Sequence, residues 1–149
     1  MTYLLDTNVI SEVIKPRPTA AVVAWFASQP NTSTYLSVLT LGEIEQGIVR
    51  SPNPQPAQEL RRWLEEELPS QFHGRVLSVD ATIMKTWGRI TGHALQRGLP
   101  TSYVDSLLAA TAITHDLIPV TRNIKDVEAF PVQALNPWTI LPIPPNRPP

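Results

Sequence analysis

Tyr3-Leu4-Leu5-Asp6-Thr7-Asn8-Val9-Ile10-Ser11-Glu12 opens the chain's first readable unit. Three apolar residues stop at an acid, and Thr7 and Asn8 follow as helix-start residues. The pattern predicts a buried strand feeding a helix, which Pro16 and Pro18 end. Outward from there the same alternation repeats. Val22, Val23, Trp25 and Phe26 mark a helix over Ala20 to Ser28, and Tyr35-Leu36-Ser37-Val38 reads as a second strand. Thr40-Leu41-Gly42-Glu43 opens a helix carrying Ile44 and Ile48. The segment Ser51 to Pro56 is a proline-punctuated loop inside the domain, and Leu60, Trp63, Leu64 and Leu68 form one apolar stripe. Arg75 to Val79 is a third strand, reaching Asp80. Ile83, Trp87, Ile90 and Ala94 mark a helix closed by Gly98-Leu99-Pro100. Ser102 starts another helix, Leu117 to Thr121 forms a fourth strand, and Val132 to Leu135 is a last apolar run. Strands separated by helices predict an α/β domain with a central, mostly parallel sheet.

The chain has 149 residues, the size of one compact domain. A single domain over 1–141 is expected, followed by a proline-rich tail, 142–149, that is extended or disordered. Hydrophobic residues make up 42%, enough to exclude a disordered chain. The net charge of -1 excludes a strongly basic nucleic-acid binder. It leaves room for a nuclease, because a bound divalent cation can supply the charge a phosphate needs. There are no cysteines, hence no disulfides, no thiol nucleophile and no cysteine-based zinc site. His73, His93 and His115 are too far apart to form a local ligand pair. The first residues lack the basic region of a signal peptide, and no apolar run is long enough for a membrane span. A soluble, cytoplasmic protein is expected.

The acids carry the functional signal. Asp6 ends one predicted strand, Asn123 lies just past the end of another with Asp126 three residues on, and Glu43 and Asp105 fall near helix starts. In an open parallel sheet the carboxyl ends of strands and the starts of the following helices share one edge, where ligands bind. Carboxylates gathered there repel one another unless a cation joins them or some stay protonated. Oxygen ligands suit Mg²⁺ or Mn²⁺ rather than zinc, and such a cation serves phosphodiester hydrolysis. A plainer reading competes. Thr40-x-x-Glu43 and Ser102-x-x-Asp105 fit the capping-box pattern, while Asp6 and Asp80 fit ordinary N-caps. Taken singly, each acid reads more readily as a cap than as a ligand, and Asp80 keeps that reading.

Beyond spacing, the blocks Leu4 to Glu12, Leu36 to Ile48, Asp105 to Ala112, Val120 to Asp126 and Leu135 to Trp138 together resemble PIN-domain proteins. They are most similar to the FitB-like branch of VapC-type toxins of toxin–antitoxin modules. The resemblance implies an α/β/α sandwich that commonly dimerises, and a metal-dependent ribonuclease leaving a 5′-phosphate and a 3′-hydroxyl. It places Asp6, Glu43 and Asp105 at the metal-site acids. The fourth acidic position is here Asn123, whose amide oxygen can coordinate Mg²⁺ or orient a water but adds no charge. Asp126 is a candidate to restore charge at the metal, directly or through water. Asn8 and Thr121, and more weakly Thr7, are expected to shape the site. By position beside it, Arg122 and Lys125 are candidates to meet RNA phosphate, with surface solvation or a local ion pair the competing reading for each. The resemblance also implies a cognate antitoxin and either a homodimer or a toxin–antitoxin hetero-oligomer, with no membrane partner.

Two other functions compete. A PIN-like fold degraded at Asn123 would bind RNA or an antitoxin-like partner without turnover. A phosphatase using Asp6 as a covalent nucleophile would want a second acid two residues on, where this chain has Asn8.

Overall fold

The computed structural model describes residues 1–140, so the proline-rich tail expected over 142–149 lies outside the described residues. Four short strands form one parallel sheet: β1 (Tyr3–Leu5), β2 (Thr34–Ser37), β3 (Val76–Leu77) and β4 (Ile118–Val120), in the order β3-β2-β1-β4. Tyr3 stands opposite both Thr34 and Ile118, and Leu36 opposite Val76. The last apolar run adds a single parallel bridge, Leu135 to Val120, along the β4 edge.

The helices α1 (Thr7–Val13), α2 (Ala20–Ser28), α3 (Val38–Arg50), α4 (Pro54–Arg62) and α5 (Leu68–Gln71) precede β3, and α6 (Ala81–Gln96) and α7 (Tyr103–His115) precede β4. Because side chains alternate across a strand, β1 feeds two cores. Tyr3 and Leu5 join Leu36 and Val120 against Val9, Ile10, Val22, Trp25, Ile44 and Trp63 on one face. Leu4 packs on Leu108 and Ala112 of α7 on the other. Strands covered on both faces read as unbroken apolar runs, which is why Tyr3-Leu4-Leu5 shows no alternation in sequence. The result is the expected α/β/α sandwich.

Three boundaries differ from the sequence reading. Helix α3 begins at Val38, not Thr40, because the Ser37 side chain caps it by accepting the Leu39 N–H at 3.1 Å. The Thr40–Glu43 capping box therefore does not form. Pro54 and Pro56 belong to the first turn of α4, where a missing N–H costs no helical bond, so the break shrinks to Ser51–Asn53. Helix α4 then runs through a π-helical turn, Trp63–Glu67, into α5. The third strand holds only two residues. Asp80 caps α6 by accepting the Ile83 N–H at 2.9 Å, as its spacing implied. At the other end of α6, Gly98 takes a φ of 71°, a left-handed turn that favours glycine.

Candidate active site

Asp6 begins where β1 ends. Its backbone N–H still belongs to the sheet, donating to the Val120 carbonyl at 2.9 Å, while its side chain caps α1 by accepting the Thr7 N–H at 2.7 Å. The second carboxylate oxygen accepts the Thr121 hydroxyl at 2.8 Å. Thr121, itself buried just past β4, has its oxygen fully used. It donates to Asp6 and accepts from the Asn8 side-chain amide at 3.3 Å and from the Asn123 N–H at 3.1 Å. The parallel pairing of β1 with β4 brings these two strand ends together across 115 residues of sequence.

The other acids arrive on helices. Glu43, in the second turn of α3, accepts the Thr7 hydroxyl at 2.6 Å, and Thr40 Oγ1 lies 3.2 Å from the same hydroxyl. Asp105 lies in the first turn of α7. Ser102 Oγ caps that helix by accepting the Asp105 N–H at 3.1 Å, and its hydroxyl donates to the Asp105 carboxylate at 2.6 Å. Capping and convergence thus coexist: Asp6 is an N-cap and still faces the cleft, because a carboxylate has more acceptor sites than its cap uses.

Asp6, Glu43, Asp105 and Asn123 line one open cleft of about 420 Å³. Burial, with the charges of Glu43 and Asp105 adding to it, pushes the Asp6 carboxyl above its ordinary value, against the lowering effect of the Thr121 and Thr7 hydrogen bonds. A carboxyl so placed gains from any cation that enters. Among the described residues no three acidic or histidine side chains close on one point. The acids form a lined cleft rather than a cage. That suits a hydrated ion such as Mg²⁺, which is held by one or two carboxylates and keeps several waters, and the all-oxygen donors fit it.

Arg122, also in the cleft wall, is exposed, and Thr7 and Asn8 stand in the wall beside Asp6. Asp126 is exposed on a 3₁₀ turn, Ile124–Asp126, and does not line the cleft.

Sequence reasoning assigned no role to four further residues in the wall: Ser11, Glu12, Lys15 and Trp138. Asn8, Ser11, Glu12 and Lys15 follow one another at helical spacing, so continuing the face of Asn8 along the chain finds them. Glu12 is buried, accepts the Thr19 N–H at 2.9 Å and hydroxyl at 2.6 Å, and pairs with Lys15 at 2.6 Å. These contacts hold its carboxyl at about 2. It is a structural lock between α1 and α2.

The parallel sheet with helices on both faces is the fold of a known family. The PIN domain model matches residues 3–128. The chain belongs to the PIN domain family. Toxin FitB of Neisseria gonorrhoeae is 36% identical over 135 residues, covering 91% of this chain and 97% of that protein. A VapC ribonuclease of Sinorhizobium fredii is 33% identical, covering 91% and 96%. Among solved structures, FitAcB from Neisseria gonorrhoeae superposes with a TM-score of 0.87 at 34% identity, covering 93% of this chain and 100% of that chain. Among the described residues of this PIN domain, no helix is long and apolar enough to cross a membrane.

Proposed function

We propose that this chain is a ribonuclease toxin that hydrolyses RNA phosphodiester bonds with Mg²⁺ or Mn²⁺ held by Asp6, Glu43 and Asp105, and that a cognate antitoxin silences it. The observation that carries the reading is the convergence of three carboxylates from three separate elements on one cleft, with Asp6 pushed up by burial and by the other two. Structural capping alone gives no reason to place them together. The relatives named as a toxin and as a VapC ribonuclease support the same reading.

When bound, the cation supplies the charge that acidifies a water and offsets the negative charge of the phosphate. The protein's part is to hold and orient. Thr7 and Thr121 fix the two oxygens of Asp6, and Thr7 also holds Glu43. Asn8 braces Thr121. Asn123 offers an amide oxygen in place of a fourth carboxylate. Arg122, at the lip, takes a substrate phosphate, for which a guanidinium's planar fork is well shaped. The products expected are a 5′-phosphate and a 3′-hydroxyl.

An acidic cleft is also a good receptor for an arginine, which matches carboxylates in a bidentate way. An antitoxin segment presenting one would block the site. A solved relative, FitAB bound to a DNA fragment, has a TM-score of 0.86 at 33% identity, and it supports a toxin–antitoxin hetero-oligomer here, the homodimer being the other assembly expected.

Incubation of structured and unstructured RNA with antitoxin-free protein in Mn²⁺, Mg²⁺ or EDTA tests the proposal, with Asp6→Asn purified identically as the control. Metal-dependent cleavage that vanishes in the variant is expected. Asn123, with Asp126 outside the cleft, favours one rival, a binding module without turnover. RNA binding without cleavage in metal would support that rival and overturn the ribonuclease.

A further inference from the structure

Two cations line the acidic cleft, and they are in different states. Lys15 is spent on Glu12 at 2.6 Å. Arg122 has no carboxylate within ion-pair distance among the described residues; instead its guanidinium lies over the Trp138 ring, with Cζ 5.3 Å from the ring centroid. Its backbone is tied on both sides. The Arg122 N–H donates to the Asn8 side-chain carbonyl at 3.4 Å, and its carbonyl accepts the Asn136 side-chain amide at 3.2 Å. The same Asn136 side chain turns its oxygen to the Trp138 N–H at 2.9 Å. One side chain therefore ties the Arg122 and Trp138 backbones together through the Arg122 C=O and the Trp138 main-chain N–H. Trp138 is half-buried, packed against the main core on one side and lining the cleft on the other.

We infer that Trp138 and Asn136 are positioning residues for RNA binding: they hold the Arg122 guanidinium at the lip of the cleft so that it grips a phosphate flanking the one to be cut. The inference rests on the ribonuclease reading. Its physical basis is the sign of the cleft. Three acids repel the substrate backbone, so an approaching strand needs a fixed positive point beside them. A free arginine must give up conformational freedom to grip a phosphate, whereas one laid on an indole has already given up part of it. With Cζ over the ring, the guanidinium keeps N–H groups that no carboxylate of the described residues takes, and these can meet phosphate oxygens.

The test is a mutant cycle. Trp138→Leu and Asn136→Ala are each made with Arg122 present and in an Arg122→Gln background. The readouts are KM and kcat for RNA cleavage in Mn²⁺, and binding of a fluorescein-labelled RNA oligonucleotide in EDTA across a salt series. Arg122→Gln is expected to raise KM by roughly tenfold or more and to reduce the salt slope of binding by about 0.7, one phosphate contact on a single strand. Trp138→Leu and Asn136→Ala should each raise KM by roughly two- to fivefold with kcat little changed, and should add nothing once Arg122 is gone. Equal losses in both backgrounds, or none in either, would overturn the inference, since a purely structural role does not depend on the guanidinium. If Trp138→Leu fails to fold, Asn136→Ala decides alone, because it leaves the core side chain in place. A wild type that neither binds nor cuts RNA would instead sink the ribonuclease reading itself.

Discussion

Thr121→Val removes one hydroxyl and nearly nothing else, and the structure gives the size of the consequence. The lost oxygen donates to the Asp6 carboxylate at 2.8 Å and accepts from Asn8 and from the Asn123 N–H. A hydrogen bond to an ionised group contributes about 1.5–3 kcal/mol. The two neutral partners lie at the cleft, where water can replace the lost acceptor at little cost. Asp6 keeps its bond from the Thr7 N–H, so the fold loses roughly 2–3 kcal/mol, mostly through the Asp6 link. For a chain of this size that lowers Tm by roughly 5–10 °C. The assay is thermal unfolding in EDTA at neutral pH, with Thr121→Ser as the control that keeps the hydroxyl and gives up about 1 kcal/mol of methyl burial. Repeating it on Asp6→Asn supplies the sharper number. There the bond is neutral, and the cost of Thr121→Val should fall to about 1 kcal/mol. An unchanged Tm, or the same cost with asparagine at position 6, would refute the claim that Thr121 acts by stabilising a buried carboxylate.

Further outcomes follow from the same geometry. Asp105→Asn should lose RNA cleavage by more than about 100-fold. Its stability should stay within about 0.5 kcal/mol of wild type, because the Ser102 cap uses the Asp105 backbone N–H, an asparagine oxygen still accepts the exposed Ser102 hydroxyl, and the weaker bond is offset by less repulsion of Asp6; chemical denaturation and a cleavage assay on one preparation check both. Glu12→Gln should lower Tm at neutral pH and have a shrinking effect in acid. The folded-state carboxyl at about 2 lies below its ordinary 4.5, so its stabilisation is present above that ordinary value and is lost as pH falls toward 2. A Tm difference between wild type and Glu12→Gln that is constant across that window would contradict the Lys15 and Thr19 contacts.

Much of this was legible in the chain, for identifiable reasons. Tyr3-Leu4-Leu5-Asp6 announces a doubly covered strand ending at a sheet edge because burial on both faces demands an unbroken apolar run and the edge tolerates an acid. Asp80 and Ser102 announce caps because a cap is a local event. Glu43 and Asp105 are harder. Their spacing fits caps, and only pairings such as Thr7 with Glu43 and Asp6 with Thr121, which cross from one element to another, reveal a shared cleft. Asp126 lies off the cleft wall, and sequence distance from Asn123 could not tell that, because it says nothing about which way a short turn points. Trp138 was invisible as part of the site for a related reason. Its role depends on Arg122, reached through Asn136, which lies fourteen residues after that arginine, and no periodicity connects an irregular segment to a strand end.

The central proposal is that the cleft lined by Asp6, Glu43 and Asp105 binds divalent cation, and calorimetric titration of Mn²⁺ into the antitoxin-free protein tests it most directly. Wild type should show saturable binding, Asp105→Asn much weaker binding, and Asp6→Asn none within the range reached, with all three proteins equally folded. Binding that is unchanged in Asp6→Asn would put the metal elsewhere and contradict the account.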